Sequence, residues 1–388
     1  MAPFLSRSGY GSEAIDYVLG LEKVRPNSIT IGHHGDSASE TYFFGLPPKV
    51  RETLILQANR PPYYPISICH SEPGAWHPSF WPTARCPPDG SIFNIGRTMF
   101  ETDRIPEGWE SRCNQMDQIW VPTEFEREVF AKYGVDPSKL VVIPESVDVD
   151  FYNPDLYEAM DLPGQADTKF KFLSIFKWEE RKGWSILIKA FIREFSLDEG
   201  VVLYIKTHEY HGDGISPEDQ MNALIQQEIM SGLDKSKLPK IYIMDQDVPT
   251  SAMPRLYKAV DAFVISSRGE GWGRPHVEAM AMGLPIIATN WSGPTEYMTP
   301  LNSYPLKIEP DLVPITQGAF VNHFWAEPSL THLRELLRHI VSNPQEAKEK
   351  GTQARSDMIH KYSPSIVANI INNQLLLIEE QLAQSNEK

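Results

Sequence analysis

The feature that most restricts the fold is a regular alternation of short apolar runs with amphipathic stretches. In the second half, KFKFLSIF (169–176), VVLYIKT (201–207), KIYIM (240–244), DAFVI (261–265) and LPIIAT (284–289) read as buried strands. Between the first two lies KGWSILIKAFIREFS (182–196), whose Trp184, Leu187, Ile188, Phe191 and Phe195 share one helical face. A further helix opens with Ser216 as N-cap, Pro217 at the first position and Glu218 and Asp219 in the first turn. The first half repeats the pattern with strands at SITIGHH (28–34), YPISICH (64–70), QIWVP (118–122) and KLVVIP (139–144), and a helix at TEFEREVFAKYG (123–134). Residues 80–115 read as irregular, proline-containing loops over a site, and turn residues at 145–156 mark a break. Strands alternating with helices require parallel sheets covered on both faces. A chain of 388 residues exceeds one ordinary core. The expectation is therefore an α/β protein of two Rossmann-like domains, 1–148 and 149–362, their sheets facing across a cleft. Residues 363–388 are expected to form a C-terminal helix packing back on the N-terminal domain.

One segment carries more chemistry than the rest. SSRGEGWGRPHVEAMAMGLPIIATNWSGPTEY (266–297) reads as a strand end, a glycine turn, a helix with Pro275 near its start and Gly283 at its end, then a strand. Ligands of open α/β sheets bind at the carboxyl ends of strands, where Glu270 falls. The helix N-terminus aims unpaired N–H groups at the turn, which suits a phosphate. Glu270 and Glu278 then face a hydroxyl-rich ligand beside it. A glutamate pair alone is ordinary helix surface. The glycines Gly271 and Gly273 around Trp272, which permit close backbone approach by a ligand, favour a site.

Composition narrows the partners. The formal charge of −15 disfavours nucleic acid or an anionic membrane, and acidic residues outnumber basic ones within the first 155 residues as well. No apolar run reaches the roughly 18 residues that span a bilayer, and the start shows no secretory signal pattern. Three cysteines, Cys69, Cys86 and Cys113, with no CxxC pair indicate neither a disulfide scaffold nor a zinc site, and fit a reducing, cytoplasmic setting.

Together these residues resemble the retaining glycosyltransferases of family 4, the glycosyl transferases group 1, which have the two-domain GT-B fold. RGEGWGRPHVEAMAMGLPIIAT is similar to the family's donor signature, with two glutamates separated by seven residues. FLSIFKWEERKGWSILIKAF is similar to its phosphate-gripping segment, with Lys177 and the Lys182–Gly183 pair in the matching places. The first of these is usually arginine, and lysine supplies a point charge instead of a fork. SRSGYGSEA (6–14) resembles the family's glycine loop, and VIPESVD (142–148) its interdomain strand end.

The resemblance implies a nucleotide-sugar donor, a carbohydrate or other hydroxyl acceptor, retention at the anomeric carbon and neither a resident metal nor a cofactor. It implies that Lys177, Lys182 and the N–H groups of Gly9, Tyr10, Gly11, Gly271, Trp272 and Gly273 surround the diphosphate, with Arg274 as a further donor-binding residue. Glu278 would bind the ribose and Glu270 the sugar hydroxyls. His70, closing a strand, would stand near the transferred sugar, with Glu72, Trp76, His77, Glu101 and Asp103 as acceptor-side candidates. A sugar-nucleotide epimerase, a phosphorylase and a non-catalytic carbohydrate-binding subunit are the alternatives on this fold. GYGSEA with Asp36 also matches a dinucleotide fingerprint, but the only preceding strand, MAPFL, is interrupted by proline. The DVD (148–150) and DQD (245–247) matches to a metal-binding DxD are chance-level, and HHGD (33–36) reads as a strand end meeting a turn.

Overall fold

The computed structural model describes residues 1–6, 8–35, 37–61, 65–208, 214–318 and 320–386. Arg7, Asp36, Tyr64, Glu387 and Lys388, used in the expectations above, lie outside them. The chain divides into two compact units, Met1–Asp148 with His360–Lys388, and Val149–Ile359.

The first unit holds a four-stranded parallel sheet of β1 (Ile66–His70), β2 (Phe93–Arg97), β3 (Gln118–Val121) and β4 (Leu140–Val142), in that order. Residues 28–34, expected as a strand, make a single bridge, Ala2 to His33. The segment holds by backbone bonds such as Ile31 N–H to Gln57 O. Conversely, 80–115 is not merely loop: it contains β2 and the helix Trp109–Asn114. FNIGR lacks a β-branched run and carries a glycine at its fourth position, which obscures it as a strand. The structure explains that glycine, since a Cβ at Gly96 would stand 2.2 Å from the Trp76 ring.

The helix Gly9–Val24 and the last helix, Pro364–Asn386, cover this sheet together. Tyr17 and Leu21 from one and Val367, Ile371 and Ile378 from the other close over Ile95, Trp120 and Ile143. Each such aliphatic side chain contributes about 1.5–3 kcal/mol on burial. Cys69 in β1 is joined to Cys86 in a disulfide, while Cys113 is free and buried. This corrects the reading of the cysteines as a reduced set, so cysteine usage does not argue for a reducing compartment. Among the described residues no helix is long and apolar enough to cross a membrane.

The second unit holds a six-stranded parallel sheet. Its members are β5 (Phe170–Ile175), β6 (Val201–Lys206), β7 (Lys240–Met244), β8 (Ala262–Ile265), β9 (Ile286–Thr289) and β10 (Tyr304–Leu306), in the order β10-β9-β8-β5-β6-β7. Every residue of β6, β8 and β9 is buried, as expected for strands covered on both faces. The helix Trp184–Glu194 buries Leu187, Ile188 and Phe191 against the sheet. The strand order runs outward from β5 to β7, then returns to the other side of β5 with β8. That reversal places a switch point beyond the carboxyl ends of β5 and β8, where such sheets bind ligands.

Candidate functional site

The two segments singled out by their charge pattern leave the sheet at that switch point. Lys177 lies two residues beyond the end of β5, after Phe176, and is partly buried. The chain then turns through Glu180–Lys182 into Gly183, at φ +62°, and on into the helix Trp184–Glu194. From β8 it runs through Ser266–Gly273 into the helix Arg274–Ala281, with Pro275 in its first turn.

Lys182 Nζ lies 2.7 and 2.8 Å from the two oxygens of Glu270, and Arg181 donates to the same carboxylate at 3.1 Å and to Gly269 O at 2.7 Å. The structure thus joins Lys182 directly to Glu270. Burial pushes the Glu270 carboxyl up, but Lys182 and Arg181 outweigh it and hold the group well below the usual carboxylate range. Burial, reinforced by Arg181, lowers the Lys182 ammonium, which Glu270 opposes. Arg181, which the family resemblance does not single out, thus joins the site, and its signal in the sequence is its position next to Lys182.

The turn is clamped from behind. Glu270 N–H donates to Ser292 Oγ at 2.9 Å, Gly293 N–H donates to Glu270 O at 2.9 Å, and Tyr297 OH donates to Trp272 O at 2.6 Å. A Cβ on Gly293 would stand 2.1 Å from Gly271 O. Ser292 has φ +57° and is fully buried, a strained backbone at the point that fixes Glu270. Glu278 lies one turn into its helix and accepts from Tyr257 OH at 2.8 Å. Gly271 and Trp272 are buried, whereas Gly273 and Arg274 are partly exposed.

In the first unit, Gly9–Gly11 are not a loop but the first turn of the helix Gly9–Val24. Ser8 caps it, its Oγ accepting from Gly11 N–H at 3.1 Å, so that N–H is not available to a diphosphate. Tyr10 OH donates to Met99 O at 3.1 Å, in the loop after β2. His70 ends β1, and its Nε2 lies 2.8 Å from Glu13. Glu72 is exposed on the following loop. Two acceptor-side expectations are corrected. Trp76 is core, 1% exposed, donating to Ser71 Oγ and packed on Gly96. His77 lines a cavity of about 310 Å³ with Arg85, Asn94 and Gln115, toward the amino ends of β2 and β3 and away from His70. Glu101 and Asp103 follow β2, and Asp103 pairs with Arg104 at 2.8 Å. Among the described residues no group of three or more His, Cys, Asp or Glu side chains is arranged to hold a metal ion.

His276 is fully buried behind the turn, near Phe263 and Tyr297, and burial pushes it down to about 4 against the pull of Glu270. A histidine neutral in the folded state and near pH 6.5 when unfolded stabilises the fold above pH 6.5, and that contribution is lost as pH falls toward 4. At pH 5 the loss is on the order of 2 kcal/mol. Urea unfolding at pH 7.5 and 5.0 should show this slope in the wild type and a flatter one in His276→Gln. Equal slopes would mean that His276 is not held neutral.

Two units built on parallel sheets, with a carboxylate–lysine pair at the switch point of one, define the GT-B fold. Residues 168–311 match the family model described as Glycosyl transferases group 1, and the chain resembles that group over this span. The chain is 26% identical over 199 residues to the D-inositol 3-phosphate glycosyltransferase of Segniliparus rotundus, covering 51% of this chain and 39% of that one. It is 25% identical over 185 residues to the mannosylfructose-phosphate synthase of Agrobacterium fabrum, covering 46% and 38%. The chain thus spans about two fifths of these relatives. The structure of Anabaena HepE in complex with UDP and glucose is similar over 96% of each chain, with TM-score 0.64 and 15% identity, a likeness of fold.

Proposed function

We propose that the chain is a retaining glycosyltransferase that moves a sugar from a nucleoside-diphosphate sugar to a hydroxyl acceptor. The observation that carries this reading is the Lys182–Glu270 pair at the switch point of the six-stranded sheet, in front of the helix Arg274–Ala281. Transfer breaks the bond between the anomeric carbon and the diphosphate oxygen and forms one to the acceptor oxygen on the same face. The acceptor's proton leaves with the departing phosphate. Negative charge grows on the diphosphate, and preorganised cations there lower the barrier. Lys177 and Lys182 supply them, with no resident metal in the proposal. Glu270, held by Lys182 and Arg181, offers carboxylate oxygens to sugar hydroxyls and favours a cation-like sugar. Glu278 presents a carboxylate suited to the vicinal ribose diol, and Tyr257 orients it.

A thermal-shift panel of UDP, GDP and ADP tests the donor class. A nucleotide at 100 times its Kd should stabilise the fold by about 2.7 kcal/mol; a panel with no shift argues against a nucleotide-sugar enzyme. The nucleotide that shifts wild type should bind Glu278→Ala more weakly, by about tenfold. The ribose is unchanged during transfer, so KM for the donor should rise more than kcat falls. Unaltered affinity for the bare nucleotide would remove Glu278 from the ribose.

A further inference from the structure

At the carboxyl end of the four-stranded sheet, buried charged groups surround His70. Glu13 is fully buried on the helix Gly9–Val24, on the stripe otherwise made of Ala14, Tyr17, Val18 and Leu21. A carboxylate there is stable only when paired, and its two oxygens are divided. Oε1 accepts from the Arg97 guanidinium, and Oε2 lies 2.8 Å from His70 Nε2. Arg97, fully buried in β2, also donates to Ile143 O at 2.7 Å and lies 5.6 Å from the Tyr17 ring centroid. The rings of Tyr10 and Tyr17 flank His70 at 5.9 and 5.6 Å. The titratable and charged groups around His70 are thus Glu13, Tyr10 and Tyr17 from the helix, Arg97 from β2 and the Met1 amino group, which burial lowers to about 5 and which donates to Ile68 O at 2.9 Å. Glu145 acts on Arg97 and Tyr17.

The hydrogen positions follow from this arrangement. A carboxylate only accepts, so His70 Nε2 carries the hydrogen. Burial keeps the imidazole neutral although Glu13 pulls the other way. Arg97 matters here, because an unbalanced carboxylate at this distance would draw a second proton onto the ring. A neutral ring with hydrogen on Nε2 has its lone pair on Nδ1. Nδ1 bonds no described residue and is not among the fully buried unpartnered atoms, so the 5% of the side chain left exposed includes it.

We propose that Glu13 is a positioning residue: with Arg97 as counter-charge it fixes His70 as the Nε2–H tautomer and presents Nδ1 as an acceptor for a substrate hydroxyl. This rests on the glycosyltransferase reading, whose donor and acceptor both carry hydroxyls.

Glu13→Gln tests it, because the amide has one acceptor and one donor end. Arg97 only donates, so it takes the amide oxygen, and the NH₂ is left facing His70 Nε2. The ring must then flip to the Nδ1–H tautomer, turning the acceptor into a donor. In ¹⁵N-histidine NMR at pH 7.5, with His70 assigned through His70→Gln, wild type should show a protonated Nε2 and a bare Nδ1. Glu13→Gln should show the reverse. With the nucleotide sugar that wild type turns over, the same variant should lose about ten- to a hundredfold in kcat/KM. Its affinity for the bare nucleoside diphosphate should stay unchanged. A loss seen in donor hydrolysis without acceptor assigns the hydroxyl to the transferred sugar; a loss seen only with acceptor present assigns it to the acceptor.

If Glu13→Gln fails to fold, Glu13→Gln/Arg97→Met removes both charges together. It should give mixed tautomers and a smaller kinetic loss. A wild-type ring protonated on Nδ1, or a flipped tautomer with unchanged kcat/KM, overturns the proposal. Failure of wild type to bind any nucleoside diphosphate would instead overturn the glycosyltransferase reading, and the tautomer measurement does not depend on it.

Discussion

Lys182→Ala should lower kcat for the nucleotide sugar by about 10²–10³, the loss that follows removal of one preorganised donor facing charge in a transition state. In the structure the Lys182 ammonium rests on both oxygens of Glu270 and is 12% exposed. Between ground state and bond cleavage it must share itself between that carboxylate and a diphosphate whose charge is growing. The second role is the one that accelerates the reaction, so the loss should fall on kcat more than on KM. Glu270 keeps a partner in the variant, because Arg181 stays 3.1 Å away. The fold should therefore survive, unlike the case of a buried charge stripped of every partner. Lys182→Arg, which keeps the charge on a longer and differently shaped head, should recover part of the rate. The check is saturating-substrate turnover of the three proteins beside their melting temperatures. A Lys182→Ala enzyme with normal kcat would show that the lysine serves only as the counter-charge of Glu270.

The second unit was legible because its signals are local. Strands such as KIYIM and DAFVI are continuous apolar runs, and Ser216, Pro217 and Gly283 mark helix ends by their own chemistry; the structure places them as N-cap, first turn and positive-φ stop. The switch point then brings together Lys182 and Glu270, 88 residues apart, by topology alone. What the sequence hid was whatever depends on distant partners. Gly96 looks like a strand breaker until the Trp76 ring is found against it. Glu13 looks like a solvated residue in GYGSEA until Arg97 and His70 arrive from two neighbouring strands. A visible clue was present: Glu13 falls on the same helical stripe as Tyr17 and Leu21, where a lone charge requires a partner. The glycine loop was misplaced for a related reason. Ser8 is a good N-cap, and a serine followed by two glycines can as readily open a helix as form a loop.

Gly183→Ala should be the most destabilising single-methyl change in the second unit's site. Gly183 combines two demands that usually occur separately. Its φ is +62°, where an alanine costs about 1–2 kcal/mol. A Cβ there would also stand 2.0 Å from Ser266 O, a backbone atom at the end of β8 that has no rotamer to yield. Relieving that clash by backbone shifts adds about 1–3 kcal/mol. The combined loss, about 2–5 kcal/mol, corresponds to a fall of roughly 5–15 °C in melting temperature for a unit of this size. Gly283→Ala isolates the first demand, since Gly283 has φ +74° but its Cβ would meet nothing nearer than 3.9 Å. It should lose only the conformational part. The two variants separate steric contact from backbone preference, with nucleotide affinity as a second readout. Gly183→Ala should also weaken binding, because the displaced strand end carries the turn to Glu270 and the displaced helix start carries Lys182. Equal melting temperatures for the two variants would mean that β8 and the lysine turn are not in contact through Gly183, and the close approach that joins the two halves of the site would be lost with it.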